Sequence, residues 1–115
     1  MKYGTRFKQG EILLVPFPYT NLSHIKQRPA LVISKNEYNE KKPDLIICGI
    51  TSQIKEGTED IIITTQDLEQ GNLPKISLIK IDKIFTIEKD QVRKSIGKIN
   101  TKTWEKVKQE FYKLI

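Results

Sequence analysis

At 115 residues the chain has the length of one domain, and 37% hydrophobic with 30% charged residues suits a folded globular protein rather than a disordered one. Its formal charge of +6 favours polyanions, nucleic acid first, and the surplus is +4 over residues 1–50 (eight basic, four acidic) against +2 over residues 51–115 (twelve basic, ten acidic). No apolar run approaches the about 18 residues of a membrane span, no apolar stretch follows a basic N-terminus, and one cysteine with one histidine leaves neither a disulfide nor a zinc ligand set. The expected chain is therefore a cytoplasmic single domain over 1–115, with no membrane partner, no metal and no cofactor.

In chain order, Ile12 to Phe17 is a branched apolar run that reads as a buried strand, with Pro16 and Pro18 expected to end its regular pairing. Ala30 to Ile33 is the second strand, begun by Pro29, and a polar connection follows from Asn36 to Asp44. Leu45 to Ile50 is a third apolar run, ended by Thr51-Ser52-Gln53. Beyond a charged loop, Lys55 to Glu59, Ile61 to Thr64 forms a fourth strand. Gln66 to Asn72 is assigned a helical turn closed by Gly71, and Ile76 to Ile81 and Ile84 to Ile87 continue the extended pattern. Many short strands with close turn signals predict a small barrel or sandwich. At the C-terminus Trp104, Val107, Phe111 and Leu114 recur at helical spacing, with Asn100 or Thr101 as N-cap, so one helix should pack its stripe on that barrel.

Several side chains are candidates for chemistry. Arg28 precedes a proline, which holds it extended at the mouth of a strand, and a guanidinium pairs with phosphate oxygens through two parallel hydrogen bonds. Thr51 and Ser52 bring hydroxyls to the end of a buried strand, where they either meet a ligand or simply form a turn. Ser23, His24 and Lys26 lie in the polar loop before Arg28 and with it could hold a phosphodiester, and His24 has the one side chain that ordinarily titrates near neutrality. Asp82 stands between Lys80 and Lys83, either as a proton acceptor or as a salt-bridge partner. Tyr19 and Phe17 could stack on a base, although core packing suits Phe17 better, and Cys48 should be a buried thiol. Walker, dinucleotide-binding, nucleophile-elbow and H-E-x-x-H motifs are all missing.

Four blocks in order, GEILLVPFPYTNL, KQRPALVIS, CGITSQIK and LPKISLIKIDKIFTIEKDQVRKSIGKI before a helix, resemble the MazF/PemK family of bacterial toxins over nearly the whole chain. The resemblance implies a mainly β (α+β) fold, a small SH3-like β-barrel with a C-terminal α-helix packed on it, assembled as a homodimer. It implies a sequence-specific, metal-independent endoribonuclease that cuts single-stranded RNA and leaves a 2′,3′-cyclic phosphate and a 5′-hydroxyl. It further implies an antitoxin partner with an acidic, disordered tail, and a toxin–antitoxin complex that binds promoter DNA. Carried over by position, Arg28 and Thr51 match the family's catalytic arginine and its threonine partner. Ser23, His24, Ser52, Gln53, Lys80 and Asp82 are the wider substrate-binding set, with lysine at position 80 where some members carry arginine. Relatives of the same fold that poison DNA gyrase through the C-terminal helix supply the alternative, since this chain ends Phe111-Tyr112-Lys113-Leu114-Ile115. A basic nucleic-acid-binding module without catalysis is the third reading.

Overall fold

The computed structural model describes residues 6–18, 25–54 and 61–115. The expectations for Tyr19, Ser23, His24 and the Lys55 to Glu59 loop lie outside those residues. Seven strands, β1 (Glu11–Pro18), β2 (Ile25–Val32), β3 (Asp44–Thr51), β4 (Ile61–Ile63), β5 (Leu68–Gly71), β6 (Ser77–Glu88) and β7 (Lys94–Ile99), join one curled antiparallel sheet in the order β4-β6-β3-β2-β1-β7-β5. Helix α1 (Asn36–Lys41) bridges β2 to β3, and α2 (Thr101–Tyr112) ends the chain. None of the described helices is long and apolar enough to cross a membrane.

Alternation along the central strands makes both faces apolar. Ile12, Leu31, Cys48, Ile50, Ile79, Ile81 and Ile99 form one cluster, which α2 covers with Val107, Trp104 and Phe111. Leu13, Val15, Ala30, Val32, Leu45 and Ile47 form a second cluster on the opposite face, with Phe7, Phe85, Ile87 and Val92 against it. Each fully buried Ile, Leu or Val contributes about 1.5–3 kcal/mol relative to exposure, so the two clusters carry most of the drive for folding. Asn100 caps α2 as expected, its side-chain oxygen accepting the Thr103 N–H at 2.8 Å. Leu114, however, lies past the helix and is exposed rather than part of the packed stripe.

Several elements differ from the sequence-based expectation, each for a local reason. Pro16 and Pro18 remain inside β1 and pair with Gln27 and Ile25 of β2. They end pairing only toward β7, whose ladder with β1 stops at Leu14. Pro29 sits inside β2 rather than at its start, and the β2–β3 ladder begins one residue later, at Ala30. The stretch assigned a helical turn holds a short 3₁₀ turn, Thr65–Asp67, closed by a Thr64–Asp67 capping box, and then β5. Gly71 ends that strand at φ +84°, where a Cβ would stand 2.2 Å from the Ile96 carbonyl, so β5 and β7 approach backbone to backbone. The two extended stretches between 76 and 87 are one long strand, β6, carrying a bulge.

Helix α1 and strand β7 had no sequence signal of their own. Helix α1 is six residues long and is tied down by polar atoms rather than by an apolar stripe. The Ser34 hydroxyl donates to Asn39 Oδ1 at 2.5 Å, Asn39 Nδ2 donates to the Ser34 carbonyl at 3.0 Å, and the Lys89 ammonium donates to the Asn39 carbonyl. Strand β7, KSIGKI, buries only Gly97 and Ile99 fully, too little for a clear alternation.

Candidate functional site

The β2–β3 pairing matches Ala30 with Gly49 and Leu31 with Cys48. Continuing that register by two residues brings Arg28 level with Thr51. Pro29 has no N–H to extend the ladder, so the strands are hydrogen-bonded up to Ala30–Gly49 and unladdered at the next row. The result is a seam opening between a half-buried arginine and a half-buried threonine. Its floor is small, because Ala30 and Gly49 form the last paired row.

Strand β6 supplies the other wall. Gly49 pairs with Lys80, Ile50 with Ile79 and Thr51 with Leu78, whereas the next β3 residue, Cys48, pairs with Ile84. Ile81, Asp82 and Lys83 are therefore left over on β6 as a bulge, a feature that re-aims side chains. A Cβ placed on Gly49 would stand 3.9 Å from Lys83 Cβ, so the bulge folds Lys83 over the glycine. Alternation puts Arg28, Ala30, Ile47, Gly49, Thr51 and Lys80 on one face, the face of the second apolar cluster. Lys26, two residues from Arg28 on β2, falls on it as well.

Thr51 Oγ1 accepts the Gln53 N–H at 3.1 Å, a tight turn that fixes the hydroxyl and leaves its proton to donate. Ser52 and Gln53 follow in the turn and are exposed. Asp82 is exposed and makes no ion pair among the described residues, so the salt bridge considered for it is not formed. The sheet thus gathers Arg28, Thr51 and Lys80 around Gly49, with Asp82 on the adjoining bulge. Cys48 is buried on the opposite face.

Lys26, grouped with Arg28 from the sequence, lies on this face as a β2 residue rather than a loop residue, and sequence reasoning missed two further members of the surface. Lys83 was signalled by Ile79, Ile81 and Ile84, whose spacing of two and then three breaks the period of a regular strand. Gly49 looked like an ordinary residue of an apolar run and is instead the low point of the floor. A separate cavity of about 300 Å³ lies under α2, lined by Ile33, Cys48, Ile81, Trp104, Val107 and Phe111 among others, and touches none of the cleft residues. Among the described residues no three His, Cys, Asp or Glu side chains gather as a metal ligand set.

Chemically, the cleft is a cationic notch with a fixed hydroxyl, set on one face of the curled sheet where the β2–β3 ladder ends, and it suits an anionic oxygen-rich ligand. Residues 8–115 match the family described as PemK-like, MazF-like toxins of type II toxin-antitoxin systems, and the chain belongs to that family. No curated protein matches it by sequence. Among solved structures it is similar to a mycobacterial endoribonuclease in complex with its cognate antitoxin, with a TM-score of 0.76, 18% identity and coverage of 93% of this chain and 92% of that one. It is also similar to a second mycobacterial endoribonuclease, with a TM-score of 0.75, 17% identity and coverage of 97% and 93%. A chain of a MazE–MazF crystal structure from Deinococcus radiodurans is similar as well, with a TM-score of 0.75, 16% identity and coverage of 96% of this chain and 96% of that one. At such identities these likenesses establish the fold, and the expected small mainly β architecture with a C-terminal helix is the one observed.

Proposed function

We propose that this toxin is a sequence-specific endoribonuclease that cuts single-stranded RNA without a metal ion. The observation that carries the reading is the Arg28–Thr51 row at the unladdered end of the β2–β3 seam, with Lys80 beside it. In RNA the ribose 2′-hydroxyl attacks the adjacent phosphorus. The P–O bond to the 5′ oxygen breaks, and a 2′,3′-cyclic phosphate and a 5′-hydroxyl remain. The substrate brings its own nucleophile, so the protein's tasks are to hold the phosphate, spread its added charge and move two protons.

Arg28 presents a planar, fixed-charge fork to the non-bridging oxygens, while the Thr51 hydroxyl donates to one of them. The Lys80 ammonium adds positive charge to the same side, the Asp82 carboxylate on the bulge accepts the 2′-hydroxyl proton, and the Arg28 guanidinium delivers the proton that the leaving 5′ oxygen takes up. Ser52 and Gln53 border the notch and contact the neighbouring nucleotides, and Ser23 and His24 belong to the same substrate-binding set. As a family toxin the protein acts by cutting mRNA and so halting translation. It works as a homodimer and is silenced by an antitoxin whose acidic disordered tail covers the cationic face, and the joint complex binds its own promoter. Purified protein in EDTA should cut single-stranded RNA to 2′,3′-cyclic ends and leave the all-DNA counterpart whole. Cutting that requires added metal, or that survives unchanged in Arg28→Ala, would overturn this reading.

A second reading has one observation of its own. Tyr112, Leu114 and Ile115 are exposed, the last at 85%, at the end of α2. A toxin that blocks a protein such as DNA gyrase through this end would arrest growth with RNA intact and lose its effect when residues 112–115 are removed.

A further inference from the structure

The β6 bulge leaves one cation that the proposed chemistry does not use. Lys83 is exposed and has no ion-pair partner among the described residues. Its stem rises beside Gly49, the one position in its row where no side chain stands in the way. Had β6 continued without a bulge, Ile81 would have followed Lys80 opposite Cys48; the three inserted residues move that place to Ile84 and turn Lys83 over the cleft floor. The Gly49 row lies two residues from the Arg28–Thr51 row along β3, roughly 7 Å at strand rise. That is about one nucleotide step of an extended single strand.

We infer that Lys83 holds the phosphate neighbouring the scissile one, an assignment that rests on the ribonuclease reading above. A lysine is suited to this place. Its ammonium is a compact point charge on a flexible stem, able to follow a phosphate that does not change geometry during reaction, whereas the rigid fork of Arg28 suits the one that does. Lys83 therefore tightens binding and leaves the chemical step alone.

The test is the salt dependence of binding to a random-sequence, fully 2′-O-methylated single-stranded oligonucleotide, which lacks the attacking hydroxyl and stays uncut. Removing one phosphate contact to a single strand lowers the slope of log K against log salt by about 0.7. Lys83→Met should show that loss with an unchanged melting curve, and Lys83→Arg should restore the slope. On cleavable RNA, Lys83→Met should raise KM and leave kcat close to its original value. A wild-type slope in Lys83→Met overturns the assignment while leaving the ribonuclease reading intact. A collapse of kcat at unchanged KM overturns it too, by moving Lys83 to the scissile phosphate. If the unaltered protein neither binds this probe nor cuts RNA, both proposals fall together.

Discussion

Lys83 Cβ lies 3.9 Å from the point where a side chain on Gly49 would begin, although the two residues are 34 apart in sequence and Gly49 pairs with Lys80. The contact exists because three residues of β6 have no partner on β3, and it makes Gly49 the floor of a notch walled by two strands. Gly49 has no positive φ, so its value is the space it leaves rather than its backbone freedom. Gly49→Ala should fold with stability unchanged or raised by up to about 1 kcal/mol, through a stiffer unfolded chain. Gly49→Val should also fold, because valine suits a strand, yet displace the bound phosphate and slow RNA cutting on the order of 100-fold. Thermal melts beside a cleavage assay separate the two effects, and a fully active Gly49→Val would remove the notch from the site.

Arg28 and Thr51 should fail in different ways. Arg28→Ala removes a donor to the developing charge and should slow cutting by roughly 100-fold to 1000-fold. Arg28→Lys should recover little of this, because a point charge does not replace a bidentate fork. Thr51→Ser keeps the hydroxyl and should stay active, whereas Thr51→Ala loses both the donor and the anchor of the Gln53 turn. Circular dichroism should show folded protein in all four; activity in Thr51→Ala equal to that in Thr51→Ser would remove the hydroxyl from the mechanism.

Gly71 is a fold requirement. A Cβ there would lie 2.2 Å from the Ile96 carbonyl oxygen and 2.5 Å from Gly97 Cα, on a backbone at φ +84°. Neither neighbour can yield as a side-chain tip would, so Gly71→Ala should cost at least about 2 kcal/mol. Urea denaturation measures the loss, and an unchanged midpoint would mean that β5 detaches from β7 without consequence.

Asn39 ties α1 to the sheet through buried polar atoms. Asn39→Ala leaves the Ser34 hydroxyl and carbonyl without their Asn39 partners and should cost about 1–3 kcal/mol. Amide hydrogen exchange should show α1 and the start of β3 opening together, while the Arg28–Thr51 end of the sheet keeps its protection.

Alkaline pH should act through Tyr38. Partial burial first, and then the hydrogen bond and charge of Asp44 at 3.1 Å, push its phenol above the ordinary tyrosine range. The raised pKa means the folded state holds the proton more tightly than the unfolded state does. The resulting stability is fully present below the unfolded value of about 10 and is lost as pH rises through the folded one. Denaturation midpoints from pH 9 upward should fall more steeply for the natural protein than for Tyr38→Phe, and parallel curves would remove Tyr38 from the alkaline transition.

Much of this molecule was legible in the chain. The runs ILLV in β1, ALVI in β2, LIICGI in β3 and the Trp104, Val107, Phe111 stripe each bury enough apolar surface to announce their kind and place, which followed from the order of residues alone. Arginine before proline marked a pre-set cation, and the four ordered blocks marked the family that residues 8–115 match. What stayed hidden was governed by backbone accounting rather than by hydrophobicity. Prolines 16 and 29 remove a hydrogen bond on one side of a strand only, and which side is a property of the assembled sheet. Helix α1 is held by one buried asparagine, and β7 by a glycine pair, neither of which has a period to read. The sequence by itself determined which residues could hold a phosphate. The level row of Arg28 and Thr51, and the bulge that turns Lys83 over Gly49, arise from pairing between strands distant in the chain, and only the tertiary structure decides that register.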